Sequence, residues 1–384
     1  MKTSSAASTR MSNNAWSASD RLAMAAALAL GRRGLGRTWP NPAVGCVILD
    51  SAGRIAGRGW TQPGGRPHAE VEALARAGDR ALGGAAFVTL EPCSHHGATP
   101  PCADALIAAG VARVVAAIGD PDPRVAGRGL ARLASSGVAV ETGLLASTAR
   151  FDQAGFLSRF ERSRPMIALK TAMSLDGRIA VANGDSKWIT GPEARRLGHR
   201  LRAAHDAILV GVGTALADDP RLDCRLEGLE SASPLRVVLD STLKLPTTHD
   251  LAAAARERPT WVICLEGADM ARREALEHLG VRVLSASDDG AGRVAPDAVA
   301  HMLAEAGVTR LLIEGGGAVA AAFLTANLVD RIHAFRAPVV IGGDGLPGIG
   351  ALGLDRVAEA PRFILRDANW IDDDVAEFYQ RSEA

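Results

Sequence analysis

AAFVTLEPCSHHGATPPCADALIAAG, residues 85–110, joins a short apolar run, a polar loop and an Ala-rich segment, with a cysteine at each end of the loop. The first six residues have the length and apolar character of a buried strand. Pro100 and Pro101 stop the loop just before Cys102, which opens the helical segment CADALIAAG. Working outward, AVGCVIL (43–49) reads as a strand, HAEVEALARAG (68–78) as a helix and ARVVAAIG (112–119) as another strand. Short apolar runs alternating with helices predict an α/β sheet covered by helices on its faces.

With 384 residues the chain is long enough for two hydrophobic cores. Apolar residues at 47% and charged residues at 22% are those of an ordinary globular protein. Lys plus Arg (43) equals Asp plus Glu (43), which argues against a nucleic-acid partner because phosphate-backbone binding needs excess cationic side chains. The leading residues have no signal-peptide core and the five cysteines no disulfide spacing, so the expected compartment is cytoplasmic. LAMAAALAL from Leu22 is too short to cross a bilayer, predicts no membrane association, and reads as a buried helix with Ser19 or Asp20 as N-cap. The pattern pauses between Leu145 and Pro165 and then resumes with PMIALK, AILVGVG, LRVVLD, TWVICL, VRVLSA, RLLIEGGG and IHAFRAPVVIGG. We therefore read residues 1–16 as a disordered tail, 17–150 as one domain, 151–164 as a linker and 165–384 as a second α/β domain.

His68, Cys93 and Cys102 carry the first chemistry. One imidazole and two thiolates suit Zn²⁺ and leave a fourth position for water, whose pKa the metal lowers toward neutrality. Glu70, two residues past His68, reaches that water from the first turn of a helix without being a ligand, as a proton shuttle requires. A closed structural site with His95 or His96 as fourth ligand is the alternative, and it leaves Glu70 unexplained. Cys46, Cys224 and Cys264 lack partner spacing and read as ordinary buried thiols.

TWPNPAVGCVI, HAEVEAL, TLEPCSHHGATPPCADALI and DPDPRVAGRGL resemble the deaminase domain of the bifunctional riboflavin biosynthesis proteins. Simpler nucleoside deaminases typically place two residues between their cysteines, and the longer SHHGATPP insert marks the riboflavin group. The resemblance implies that Asn41 hydrogen-bonds the pyrimidine and that the insert borders the substrate pocket. It departs at Ala98, where the family usually has Arg or Lys, so that contact is missing or supplied elsewhere.

In the second half, Glu314-Gly315-Gly316-Gly317 separates the apolar RLLI from the Ala-rich AVAAAFL, a turn whose amides can approach a phosphate. LKTAMSLDGRIA, GDSKWIT, DAILVGVGTALADDPRLDCR, LRVVLDS and LIEGGG are similar, in order, to the reductase domain of the same family, which is related in fold to dihydrofolate reductase. That resemblance implies NADPH contacts at Ala172, Trp188, Thr214, Asp218 and Ser241, and along the turn formed by Gly316, Gly317, Ala318, Val319, Ala320, Ala321 and Ala322. It implies contacts to a ribosyl phosphate substrate at Ser186, Arg202, Leu222, Arg225 and Glu314. Asp176-Gly177 reads as a hairpin turn between LKTAMSL and RIAVA.

The expected fold is α/β in two domains, an N-terminal cytidine-deaminase-like α/β/α sandwich and a C-terminal dihydrofolate-reductase-like domain. The expected function is hydrolytic deamination of 2,5-diamino-6-(ribosylamino)-4(3H)-pyrimidinone 5′-phosphate, followed by NADPH-dependent reduction of the ribosyl group to ribityl. The resemblance alone implies a homo-oligomer. The rivals are a nucleoside or tRNA deaminase with an unrelated appended domain, which the neutral charge and the insert oppose, and a non-catalytic zinc-stabilised binding module, which would release no ammonia.

Overall fold

The computed structural model describes residues 16–95 and 100–382. The chain divides into two units, 1–161 and 162–384.

The first unit runs α1 (Ala18–Gly31), β1 (Gly45–Leu49), β2 (Ile55–Trp60), α2 (Ala69–Ala77), β3 (Ala85–Val88), α3 (Cys102–Ala108), β4 (Arg113–Ala116), α4 (Arg128–Ser135), β5 (Ala139–Thr142), α5 (Ala146–Asp152) and α6 (Ala154–Glu161). Its sheet has the order β2-β1-β3-β4-β5, antiparallel through β1 and parallel from β3 to β5. Every residue of β1 is buried, and Val47, Phe87, Val114 and Leu106 lie at the centre of the core.

Ser17 caps α1, accepting from the Asp20 amide at 3.0 Å while the Asp20 carboxylate accepts from the Ser17 amide at 3.2 Å. This capping box corrects the expected cap at Ser19 or Asp20, because Asp20 is the third helical residue. The expected tail falls on residues 1–15, outside the described residues, except for Trp16, which packs against the core. Residues 151–164, read from sequence as a linker, are largely helical, and the division between units falls after Glu161. Phe156 and Leu157 of α6 belong to the core of the first unit.

The second unit runs β6 (Met166–Met173), β7 (Arg178–Ala180), α7 (Pro192–Ala203), β8 (Ala207–Gly211), α8 (Val212–Asp218), β9 (Leu235–Leu239), α9 (Asp250–Ala253), β10 (Thr260–Leu265), α10 (Met270–His278), β11 (Arg282–Ala286), α11 (Pro296–Glu305), β12 (Arg310–Ile313), α12 (Gly317–Thr325), β13 (Arg331–Arg336), β14 (Leu346–Pro347), β15 (Phe363–Ile371) and β16 (Asp374–Arg381). The main sheet has the order β11-β10-β9-β8-β12-β6-β13-β16-β15. It is parallel from β11 to β13, with the last two strands antiparallel.

The central strands are buried on both faces, as their continuous apolar runs require. Asp176 does occupy a turn, with the Ser174 amide bonded to the Arg178 carbonyl at 2.9 Å. The following strand β7, however, pairs with β14 and not with β6. Among the described residues no helix is long and apolar enough to cross a membrane.

Candidate active sites

In the first unit, α2 rests on β2 at backbone distance. A Cβ on Gly59 would lie 2.2 Å from the Ala69 carbonyl oxygen, so only glycine permits the approach. The start of α2 is thereby fixed, with His68 as its N-cap residue and Glu70 in its first turn. Cys93 lies in the loop after β3, and Cys102 is the first residue of α3, whose amide donates to the Cys93 sulfur at 3.3 Å.

These elements converge three ligand atoms. His68 Nδ1 is 3.6 Å from Cys93 Sγ and 3.3 Å from Cys102 Sγ. Ligands at about 2.0 Å (nitrogen) and 2.3 Å (sulfur) from a tetrahedral metal lie about 3.5 Å apart, so the set fits zinc in both chemistry and spacing. All three atoms lie within 4.8 Å of one another. Hydrogen bonding from Cys102 and His68 draws the Cys93 thiol down to about 4, and the Cys102 thiol is pushed up by its bond to Cys93 and by burial. His95, the candidate fourth ligand, lines the adjoining pocket outside this triad, and His96 and Ala98 lie outside the described residues.

Glu70 is 3% exposed, and burial pushes its carboxyl up to about 7. It opens on a pocket of ≈ 200 Å³ that Asn41 also lines. Asn41 Nδ2 donates to the Gly65 carbonyl at 3.3 Å.

Sequence reading missed the far wall. Asp120 and Asp122 line it, with Arg124 bound to Asp122 through Nη2 at 2.5 Å. Phe156, Arg159 and Phe160 of α6 complete it at helical spacing, and the apolar pattern of FLSRF was the available signal. Burial raises the Asp120 carboxyl to about 7, helped by Asp122 and Glu91.

The second unit carries two adjoining clefts, of ≈ 260 and ≈ 1110 Å³. Ala172, Trp188, Glu314 and Ala320 line the smaller one. Gly317, Ala318, Ala321 and Ala322 line the larger one, and Ser186, Thr214, Asp218 and Gly316 border both. Gly316 has φ of +54°, which turns the chain from β12 into α12.

Five expected contacts lie outside these linings. Val319 packs toward Gly211, and a Cβ there would be 2.8 Å from it. Leu222 is buried and Arg225 is an exposed side chain beside Asp223. Ser241 follows β9 and accepts from the Val294 amide at 3.2 Å. Arg202 holds Glu314 through Nε and Nη2, both at 2.9 Å, and donates Nη1 to the Asp223 carbonyl. Burial alone would raise the Glu314 carboxyl, but the charges of Arg202 and Lys170 overcome it and hold the group at about 2.

Residues 165–376 match the model of the RibD C-terminal domain, and residues 17–118 match the cytidine and deoxycytidylate deaminase zinc-binding region. The chain is 41% identical over 367 residues to riboflavin biosynthesis protein RibD of Escherichia coli strain K12, covering 93% of this chain and 98% of that protein. Its fold is similar to that of Acinetobacter baumannii RibD, with a TM-score of 0.85 and 36% identity over 95% of this chain and 99% of that one. It is also similar to the diaminohydroxyphosphoribosylaminopyrimidine deaminase/5-amino-6-(5-phosphoribosylamino)uracil reductase of Thermotoga maritima, with a TM-score of 0.82 and 32% identity over 95% and 99% of the two chains.

Proposed function

The chain belongs to the RibD family of riboflavin biosynthesis proteins, bifunctional enzymes that join a zinc-binding deaminase domain to a reductase domain, and from that premise we propose which of its residues carry each reaction. The carrying observation is the meeting of His68, Cys93 and Cys102 beside a buried Glu70.

In the first unit His68 Nδ1 and the two sulfurs hold zinc. The cation supplies a water that is nucleophilic near neutral pH. With zinc held there, Glu70 would move one proton of the water to the ring nitrogen and the second to the departing amino group, which leaves as ammonia while the oxygen takes its place. Asn41 orients the ring in the pocket, and Phe156 and Phe160, which also line it, exclude bulk water. The balance of 43 basic and 43 acidic residues favours a free small molecule over a nucleic acid as substrate.

In the second unit the Gly316 turn and the start of α12 line the larger cleft, and a helix N-terminus with its unpaired amides is suited to the pyrophosphate of NADPH. When bound, the cofactor would supply hydride for C1′ of the open-chain imine, whose nitrogen takes a proton from solvent, giving 5-amino-6-(ribitylamino)uracil 5′-phosphate. Thr214 and Asp218, bordering both clefts, position the dinucleotide. Glu314, kept ionised by Arg202 and Lys170, accepts hydrogen bonds from the sugar hydroxyls.

The test is to supply the diamino substrate to purified protein and follow ammonia and NADPH separately. The expected result is ammonia release that a chelator abolishes, with reduction of the deaminated intermediate unaffected. Tight zinc without ammonia release would favour the binding-module reading.

A further inference from the structure

NADPH differs from NADH by one ribose phosphate, which carries a charge of about −1.5 to −2 at neutral pH. A protein that prefers the phosphorylated form must place a cation where that group sits. The larger cleft of the second unit is otherwise acidic, since Asp218, Asp289 and Asp297 all line it. Arg293 is the one basic side chain among its described lining residues.

The geometry around Arg293 is that of a mounted fork. Residues 288–294 form a tight hairpin between β11 and α11, closed by the bridge of Asp288 to Val294 and by the Asp289 amide bonded to the Arg293 carbonyl at 2.7 Å. The Asp289 carboxylate accepts from the amides of Ala291 at 2.8 Å and Arg293 at 3.2 Å, and its second oxygen takes Arg293 Nε at 3.1 Å. Asp289 thus fixes the base of the guanidinium through Nε. The Nη1 and Nη2 edge makes no hydrogen bond among the described residues and is the edge that binds phosphate bidentately.

The hairpin is also tied to the cleft. The Val294 amide donates to the hydroxyl of Ser241, which follows β9, and Pro296 opens α11 on the cleft wall. The guanidinium therefore stands at the α11 side of the cleft while the Gly316 turn borders the smaller cleft as well, an arrangement with room for a dinucleotide between them.

We propose that Arg293, oriented by Asp289, binds the 2′-phosphate of the cofactor and makes the reductase unit selective for NADPH over NADH. This rests on the reading of the larger cleft as the dinucleotide site.

Titration calorimetry of the zinc-loaded full chain with NADPH and with NADH tests it without turnover. Arg293→Gln is expected to weaken NADPH by about 10- to 100-fold, the usual worth of hydrogen bonds to a charged group, and to leave NADH within about twofold. Arg293→Lys should recover part of the selectivity, since it restores the charge without the fork. Unchanged NADPH affinity in Arg293→Gln, or equal weakening of both dinucleotides, overturns the assignment. Wild-type protein that binds both dinucleotides equally overturns it while leaving the cofactor site standing, whereas wild-type protein that binds neither removes the site itself.

Discussion

Glu70 and Glu91 are both 3% exposed, yet their surroundings give them opposite work. Glu70 faces two sulfurs and an imidazole, and burial raises its carboxyl toward neutrality, where a proton shuttle functions best. Glu70→Gln keeps the shape and hydrogen-bonding length but cannot carry a proton. We expect the variant to retain zinc by elemental analysis and to lose at least ~100-fold in ammonia release while still reducing the deaminated intermediate. An active variant would remove the shuttle assignment. Glu91 instead accepts from four backbone amides, those of Asp120, Gly127, Gly129 and Leu130, at 2.9–3.3 Å. It therefore holds the loop that carries Asp120 and Asp122 to the pocket. Glu91→Ala leaves those amides without their acceptor and should cost on the order of 3 kcal/mol in denaturant titration, with faster amide exchange confined to residues 120–130. The grouping of His68, Cys93 and Cys102 was legible because their chemistry resides in residue type and spacing. Glu91 was not, because its partners are main-chain amides that any residue would supply, 29 to 39 positions further along the chain.

At the scale of elements, the strands that are buried on both faces were readable, since RLLI and AILVG admit no other environment. The hairpin of β15 and β16 was not, because the apolar residues of FILRDANWI do not alternate with polar ones and a register shift between Leu365 and Asp367 breaks the period. Helix α6 failed to register for a different reason. Its sequence AGFLSRFE places Phe156, Arg159 and Phe160 on a pocket wall, and a pocket wall mixes apolar and charged residues in a way that resembles a solvated connector. Arg159 is half-buried there, its pKa lowered by burial first of all, and it stands against the Phe160 ring at 5.7 Å. A cation held partly out of water in a substrate pocket interacts more strongly with an anionic ligand than a solvated one does. We expect Arg159→Ala to raise the deaminase KM for the phosphorylated substrate about tenfold with kcat changed less than threefold, and to leave the reductase kinetics untouched. A fall in kcat at constant KM would place Arg159 among the groups that organise the zinc centre and not among those that bind substrate.

For the whole molecule the balance of 43 basic and 43 acidic residues means that acid sensitivity is decided by individual buried groups and not by net charge. Buried or half-buried groups of both signs are present. In the first unit, the Asp120 carboxyl is raised by burial to about 7, so its neutral form is favoured by folding and its contribution is lost as pH rises from the ordinary carboxylate range toward that value. In the second, His205 is buried and His333 half-buried, and desolvation lowers both, His333 to about 4, with Arg310 and Arg331 adding to the effect. A histidine whose folded pKa lies below its unfolded value binds fewer protons in the folded state. Its stabilisation is therefore complete above about 6.5 and declines as pH falls toward the folded value. Glu314, held at about 2, has the same sign but acts only below the ordinary range of a glutamate, whereas burial raises the Asp206 carboxyl and gives it the opposite sign, so the loss of stability as pH falls between about 6.5 and 4.5 comes from the histidines. His333 lies on β13 with its ring stacked on Phe378 of β16 at 4.9 Å, and His333→Phe keeps an aromatic ring at that position while removing the titration. Hydrogen exchange resolved by peptide should show β13 and β16 losing protection as pH falls through this interval in the wild type. In His333→Phe the loss should be shallower by up to about 3 kcal/mol over the full range from 6.5 to 4. Parallel pH dependence in the two proteins would show that protonation of His333 is not what loosens that edge of the sheet.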